Sequence, residues 1–263
     1  MKFISAICGV FCTISLAAQI AYTDNVWQQG RITFARNNNE VIPEPTAFRI
    51  RTTQSALEVE VKLGSAAHWK KFQEKPFTPV PSKWPREESV EIFLDPGRSC
   101  SKYIQLAAGV YGNLFDSRMV KKPWTAKWSV SREDFKGGVI LKFVIPFDET
   151  MKKPETGDIW GFNICRNVKT AAIYFSTFAK VGARFHSPSK FAELRFGTET
   201  TFAEANLKKN LKQLSAVEKE ISDAGLSSYF AVRIAKLRKS CNETDIQAIK
   251  DELRLVKIMK EIK

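Results

Sequence analysis

The chain has 263 residues, 44% of them hydrophobic and 11% aromatic, with 41 Lys and Arg against 28 Asp and Glu for a formal charge of +13. That much apolar material supports one sandwich-sized core plus a smaller helical unit, and five cysteines are too few for a disulfide scaffold. The basic residues are spread out, with only short pairs such as Lys70-Lys71 and Lys121-Lys122 and no nucleic-acid motif, so specific nucleic-acid recognition is excluded. For a basic protein outside the cell, the natural attractor is an acidic polysaccharide or an anionic surface.

Residues 1–21 open with Lys2, run apolar from Phe3 to Leu16 and end in the small residues Ala17, Ala18 and Ala21. The pattern predicts a secretory signal peptide and hence a periplasmic or extracellular protein. Cys8 and Cys12 lack the small residues that precede a lipoprotein cysteine, and no later segment is long and apolar enough for a transmembrane anchor. Cys100, Cys165 and Cys241 remain; Cys100 could pair with Cys165 only if their strands were neighbours.

Residues 22–198 read as β-structure. Leu57, Val59, Val61 and Leu63 alternate with Glu58, Glu60 and Lys62, which puts one face in a core and one in water and favours an antiparallel sheet. A long irregular stretch from Gly64 to Glu87 holds Trp69, Phe72, Phe77 and Trp84 among four prolines. Its rings either line a groove or cover one end of the sandwich. From Ser89 to Leu94, Val90, Ile92 and Leu94 share one face, while Ser89, Glu91 and Phe93 share the other. The alternation returns at Tyr103–Ala107, where Gln105 faces away from Ile104 and Leu106. Trp124, Ala126, Trp128 and Val130 then share a parity that predicts core, as do Val139, Leu141, Phe143 and Ile145. Trp160, Phe162 and Ile164 stand opposite Gly161, Asn163 and Cys165. Short strands parted by Gly, Pro and Asp turns predict an antiparallel, jelly-roll-like β-sandwich.

In residues 199–263 proline disappears and helical spacing takes over. Thr201 and Glu204 suggest a capping box for a helix striped by Leu207, Leu211, Leu214 and Ile221 and ending near Gly225. Ser227 and Asn242 can cap two further helices, one with Phe230, Ile234 and Leu237, the other with Ile246, Ile249, Leu253 and Val256. An antiparallel hairpin or three-helix segment is expected. The alternative is a coiled coil through which the chain self-associates.

The segment from Glu88 to Pro96, with Trp84 just before it, resembles the signature strand of family 9 carbohydrate-binding modules and their DOMON-like relatives. Tyr103 to Leu106, Gly112 to Asp116, Ile145 to Phe147, Gly157 to Ile164 and Phe185 to Phe191 follow in the family's order. The resemblance spans about Tyr22 to Phe196. It implies Trp84 as one ring of a ligand-binding set, Glu91 as its carboxylate and Phe178 as the opposing ring. Ala107 and Cys165 stand where the sugar-binding pattern has Arg and Gln; Gln105 and Asn163, on the same faces, are added to the set as partial replacements for the contacts missing at those two positions. The resemblance also implies calcium, without assigned ligands. DOMON-like haem binding would need Met119 and His186, of which His186 reads as structural.

Glu91 with Asp95 or Asp116 could be imagined as a glycosidase pair, but Asp95 precedes a proline turn and no nucleophile elbow, zinc motif or phosphate loop occurs. No catalytic residue is assigned. The expected protein is a secreted, non-catalytic module that binds an oligo- or polysaccharide. The alternative is a structural or protein-interaction module on the same fold with a degraded sugar site.

Overall fold

A computed structural model describes residues 20–65, 68–118, 127–148, 151–169, 174–241 and 243–261. Residues 1–19 of the expected leader, together with Met119, Trp124, Ala126 and Asn242, lie outside the described residues.

Twelve strands follow one another as β1 (Ile20–Thr23), β2 (Gln28–Ala35), β3 (Val41–Thr52), β4 (Ala56–Gly64), β5 (Ser89–Pro96), β6 (Ile104–Gly109), β7 (Leu114–Arg118), β8 (Ser129–Phe135), β9 (Gly138–Pro146), β10 (Ile159–Val168), β11 (Tyr174–Thr177) and β12 (Ala192–Phe196). A short helix, α1 (Trp69–Phe72), lies between β4 and β5, and three helices close the chain: α2 (Glu199–Asp223), α3 (Ser227–Ser240) and α4 (Glu243–Glu261).

Hydrogen bonds run in the order β7-β6-β5-β10-β11-β2-β3-β4-β9-β8. The four-residue β11 joins two half-sheets, and the whole curls until the halves face each other. Phe48 of β3 meets Phe162 of β10 at 6.1 Å and Phe178 at 5.2 Å across that interior. Every pairing is antiparallel except that of β1 with β12, and β12 shares the free edge of β10 with β11. This is the antiparallel sandwich that the alternation predicts.

Leu57, Val59, Val61 and Leu63 are fully buried. On the outer face the register sets Arg49 beside Glu60 and Arg51 beside Glu58, paired at 2.6 and 2.7 Å. Such exposed pairs stabilise by no more than about 1 kcal/mol each, so burial of the aliphatic side holds these strands.

The other half-sheet is buried on both faces. The chain after β11 returns across β5 and β6, setting Phe185, His186 and Phe191 within 6.4 Å of Phe93. Glu91, on a face the alternation leaves to water, is thereby only 4% exposed. Among the described residues the interior face carries one charge pair. Arg166 points inward with Phe162 and Ile164, binds Glu88 at 2.7 Å, and donates to Thr46 Oγ1 and the Gly64 carbonyl, tying β10 to the opposite half-sheet.

The stretch before β5 does both things expected of it. Phe72 is buried in the core, with Trp69 and Phe77 packed partly against it, while Trp84 stays outside. The loop is held by backbone bonds from Thr78 to Tyr111, Val80 to Gly112 and Lys83 to Leu114. Gly112 is required there: its φ is +98°, and a Cβ would lie 2.3 Å from the Thr78 carbonyl oxygen. Trp128 is half-buried, stacked on Phe143 at 6.1 Å.

Cys100 and Cys165 are both free, one exposed and one buried, so the pairing left open does not form. The helical segment has its own core of Leu214, Val217, Ile221, Phe230, Leu237, Ile246, Ile249 and Leu253. Three of its details differ from the expected pattern. Thr198, not Thr201, caps α2 and accepts from the Thr201 amide; Ser227 is the first residue of α3 and makes no cap bond; and Leu207 and Leu211 are about half exposed. The buried stripe starts two turns later, at Leu214, because the first turns of α2 lie on the sandwich. There Phe202 sits under the Arg195 guanidinium, Asn206 binds the Gly157 carbonyl and Lys209 meets Asp158 at 3.1 Å. No described helix is long and apolar enough to cross a membrane.

Candidate functional site

Outward-facing residues of the doubly covered half-sheet align in rows. Glu91 is level with Ala107 and Phe115 on one side and with Cys165 and Thr177 on the other. The Trp84 ring stands edge-on against Phe115, centroids 5.0 Å apart, so the loop that carries it leans over the Glu91 row. Trp84 remains 44% exposed, with Pro85 beside it. Between Trp84 and the returning segment lies a cavity of about 550 Å3.

Its floor is polar and tightly bonded. Gln105 Nε2 donates to Glu91 Oε2 at 2.7 Å, Asn167 Nδ2 donates to Glu91 Oε1 at 2.7 Å, and Ser117 Oγ donates to Gln105 Oε1 at 3.1 Å. Burial raises the Glu91 carboxyl above the ordinary carboxylate range; the bonds from Asn167 and Gln105 and the charges of His186 and Arg36 oppose this. The far wall is Phe175 and Phe185, capped by the Arg36 guanidinium 4.1 Å over the first ring and 5.3 Å over the second. Lys169 and Arg184 complete the rim. An exposed ring facing buried carboxylate and amide groups offers an apolar flat surface and directional polar groups in one pocket, the combination that orients a small polyhydroxylated ligand.

Trp84, Glu91 and Gln105 are thus brought together, and two other expected members are not. Asn163 is fully buried beneath the returning chain, where its Oδ1 accepts from the Ala179 amide and from Thr177 Oγ1, both at 2.9 Å. Phe178 belongs to the core against Phe48 and Phe162, because it follows outward-facing Thr177 and alternation turns it inward. The opposing wall falls instead to Phe175, level with Asn167. Asn167 could have been found by carrying the β10 parity two residues past Cys165, and Phe185 lay within the Phe185–Phe191 match. Arg36 carried no sequence signal.

The other candidate groups have structural partners. Asp95 accepts from the Ser99 amide and hydroxyl and from the Cys100 amide, and Asp116 accepts from the Trp128 indole at 2.8 Å. His186 Nδ1 is 2.8 Å from the Tyr103 hydroxyl. Among the described residues, no three His, Cys, Asp or Glu side chains converge into a group that could hold a metal ion. A larger cavity of about 770 Å3 lies between β10 and the helices. The one aromatic ring in its lining, Trp160, is buried, so that cavity lacks an exposed platform.

No protein-family model and no curated protein matches the sequence. Among solved structures, a family 9 carbohydrate-binding module from Caldicellulosiruptor kristjanssonii is similar in two forms, one bound to cellotriose and one to glucose. Both have 16% identity and a TM-score of 0.47; the match covers 68% of this chain and 93% or 96% of theirs. A candidate carbohydrate-binding protein from Bacteroides uniformis aligns at 15% identity and a TM-score of 0.51, over 69% of this chain and all of its own. At this identity the likeness to the Bacteroides uniformis protein is one of fold: the chain is built on a β-sandwich like that protein's.

Proposed function

We propose that the protein is a secreted, non-catalytic module that binds a saccharide in the cavity over Glu91. The observation that carries this reading is the half-exposed Trp84 ring facing a buried floor of Glu91, Gln105 and Asn167. A pyranose laid on the indole would cover the ring with its C–H face and turn its hydroxyls toward Gln105, Asn167 and Glu91. Binding rather than hydrolysis is supported by the ties of Asp95 and Asp116 and by Glu91 being the one carboxylate among the described residues that line the cavity. The leader-like residues 1–21 support export. A glycan array probed with the chain from Tyr22 onward, followed by calorimetry on the best hit, tests the reading; the hit should be lost in Trp84→Ala.

A protein-interaction role on the same fold is the second reading. Ala107 and Cys165, fully buried where the family pattern has Arg and Gln, favour it. An array without hits would move the assignment there.

A further inference from the structure

The cavity rim is unevenly charged. Arg36, Lys169 and Arg184 line it, against the single carboxylate of Glu91. Both Glu91 oxygens already accept hydrogen bonds from Gln105 and Asn167, so Arg36 acts on that carboxylate through charge at a distance and forms no ion pair with it. Among the described residues none of the three cations is in an ion pair, whereas many of the chain's other arginines are, as at Arg49–Glu60, Arg98–Glu193 and Arg238–Glu218.

Arg36 is the most constrained of the three. Its guanidinium lies over Phe175 and Phe185, and its backbone amide is bonded to the Phe175 carbonyl at 2.9 Å. Among the described residues only its Nε has a partner, Asn37 Oδ1 at 3.3 Å, which leaves the two-nitrogen edge free. A planar guanidinium held on a ring with that edge free matches two oxygens of one anionic group. Neutral sugars would not require such a group.

Building on the saccharide reading of this cavity, we infer that the site selects sugars bearing an anionic substituent, a carboxylate or a sulfate ester, and that Arg36 reads the charge while Trp84 reads the ring. The chain's positive charge then adds to the capture rate without setting the selectivity.

Three ligands that differ only at C6 test this: cellotriose, its C6-oxidised uronate form and its O6-sulfated form, titrated at low salt and at about 0.5 M salt. At least one anionic form should bind about tenfold tighter than cellotriose at low salt, as expected of one charge-assisted contact. Arg36→Gln should abolish that advantage, so that the anionic forms and cellotriose bind this variant equally. Lys239→Gln, an exposed change at the end of α3 that removes the same charge outside the cavity lining, should leave the advantage intact. Preference for the uronate marks a carboxylate reader and preference for the sulfate ester a sulfate reader; both support the inference.

Equal binding of all three, with loss of all three in Trp84→Ala, would overturn charge selection and leave the saccharide reading standing. Binding of none would remove the saccharide reading and this inference with it. Equal loss in Arg36→Gln and Lys239→Gln would reduce the preference to non-specific attraction and overturn the inference. Lys169→Gln, which leaves the Arg36 stack in place, repeats the test if Arg36→Gln melts early.

Discussion

Trp84 and Trp128 are separated in role by what they touch. Trp84 leans on one ring and is nearly half exposed, so Trp84→Ala should weaken saccharide binding by roughly 1 to 3 kcal/mol and shift the melting temperature little. Trp128 stacks flat on Phe143 and donates to Asp116, so Trp128→Ala should cost about 2 to 3 kcal/mol of folding stability. Calorimetry of both variants, with and without ligand, checks the pair. Glu91 adds a dependence on pH. Its folded pKa is raised by burial, so its contribution to stability is full below the unfolded value of about 4.3 and is lost as pH rises through the folded value. Glu91→Gln removes the titration. From pH 4 to pH 7 the native chain should therefore lose stability relative to Glu91→Gln, read from urea midpoints at the two pH values.

At the scale of elements, two contacts between distant segments position the site. Arg166 and Glu88 are both buried, so Arg166→Met would leave an unpaired carboxylate inside the sandwich and cost about 3 to 5 kcal/mol. The double variant Arg166→Met with Glu88→Gln should recover a substantial part in thermal melts. Gly112 sets how closely the Trp84 loop lies on the β6–β7 turn. Gly112→Ala meets both the positive φ and the Thr78 carbonyl, and should cost roughly 1 to 3 kcal/mol while moving Trp84 off Phe115. Indole fluorescence follows the second effect and urea denaturation the first.

At the scale of the whole molecule, the described residues form two hydrophobic cores, one in the sandwich and one among the last three helices. They meet through Phe202, Asn206 and Lys209, a small contact beside either core. Residues 22–198 expressed alone should therefore give the circular dichroism of a folded β-protein. An unfolded fragment would show that the helices are needed to complete the sandwich. Light scattering of the full chain and the fragment reads, in the same experiment, whether the helices also carry self-association.

The local patterns determined much by themselves: the alternation in β4, β5, β9 and β10, the three helices with most of their buried stripes, and the turning of Glu91 and Gln105 to the face away from Ile92 and Leu106. Period and parity depend on neighbours two to four residues away, so the sequence carries them directly. What buries Glu91 is a segment some ninety residues later, and what makes Phe175 a wall and Phe178 core is the register of β11 on β10. Arg36 reaches the cavity only because β2 pairs with β11 and closes one half-sheet onto the other. Those three features are relations between distant strands, and a one-residue slip in register would reverse them without altering any local pattern, which is why only the tertiary structure decided them.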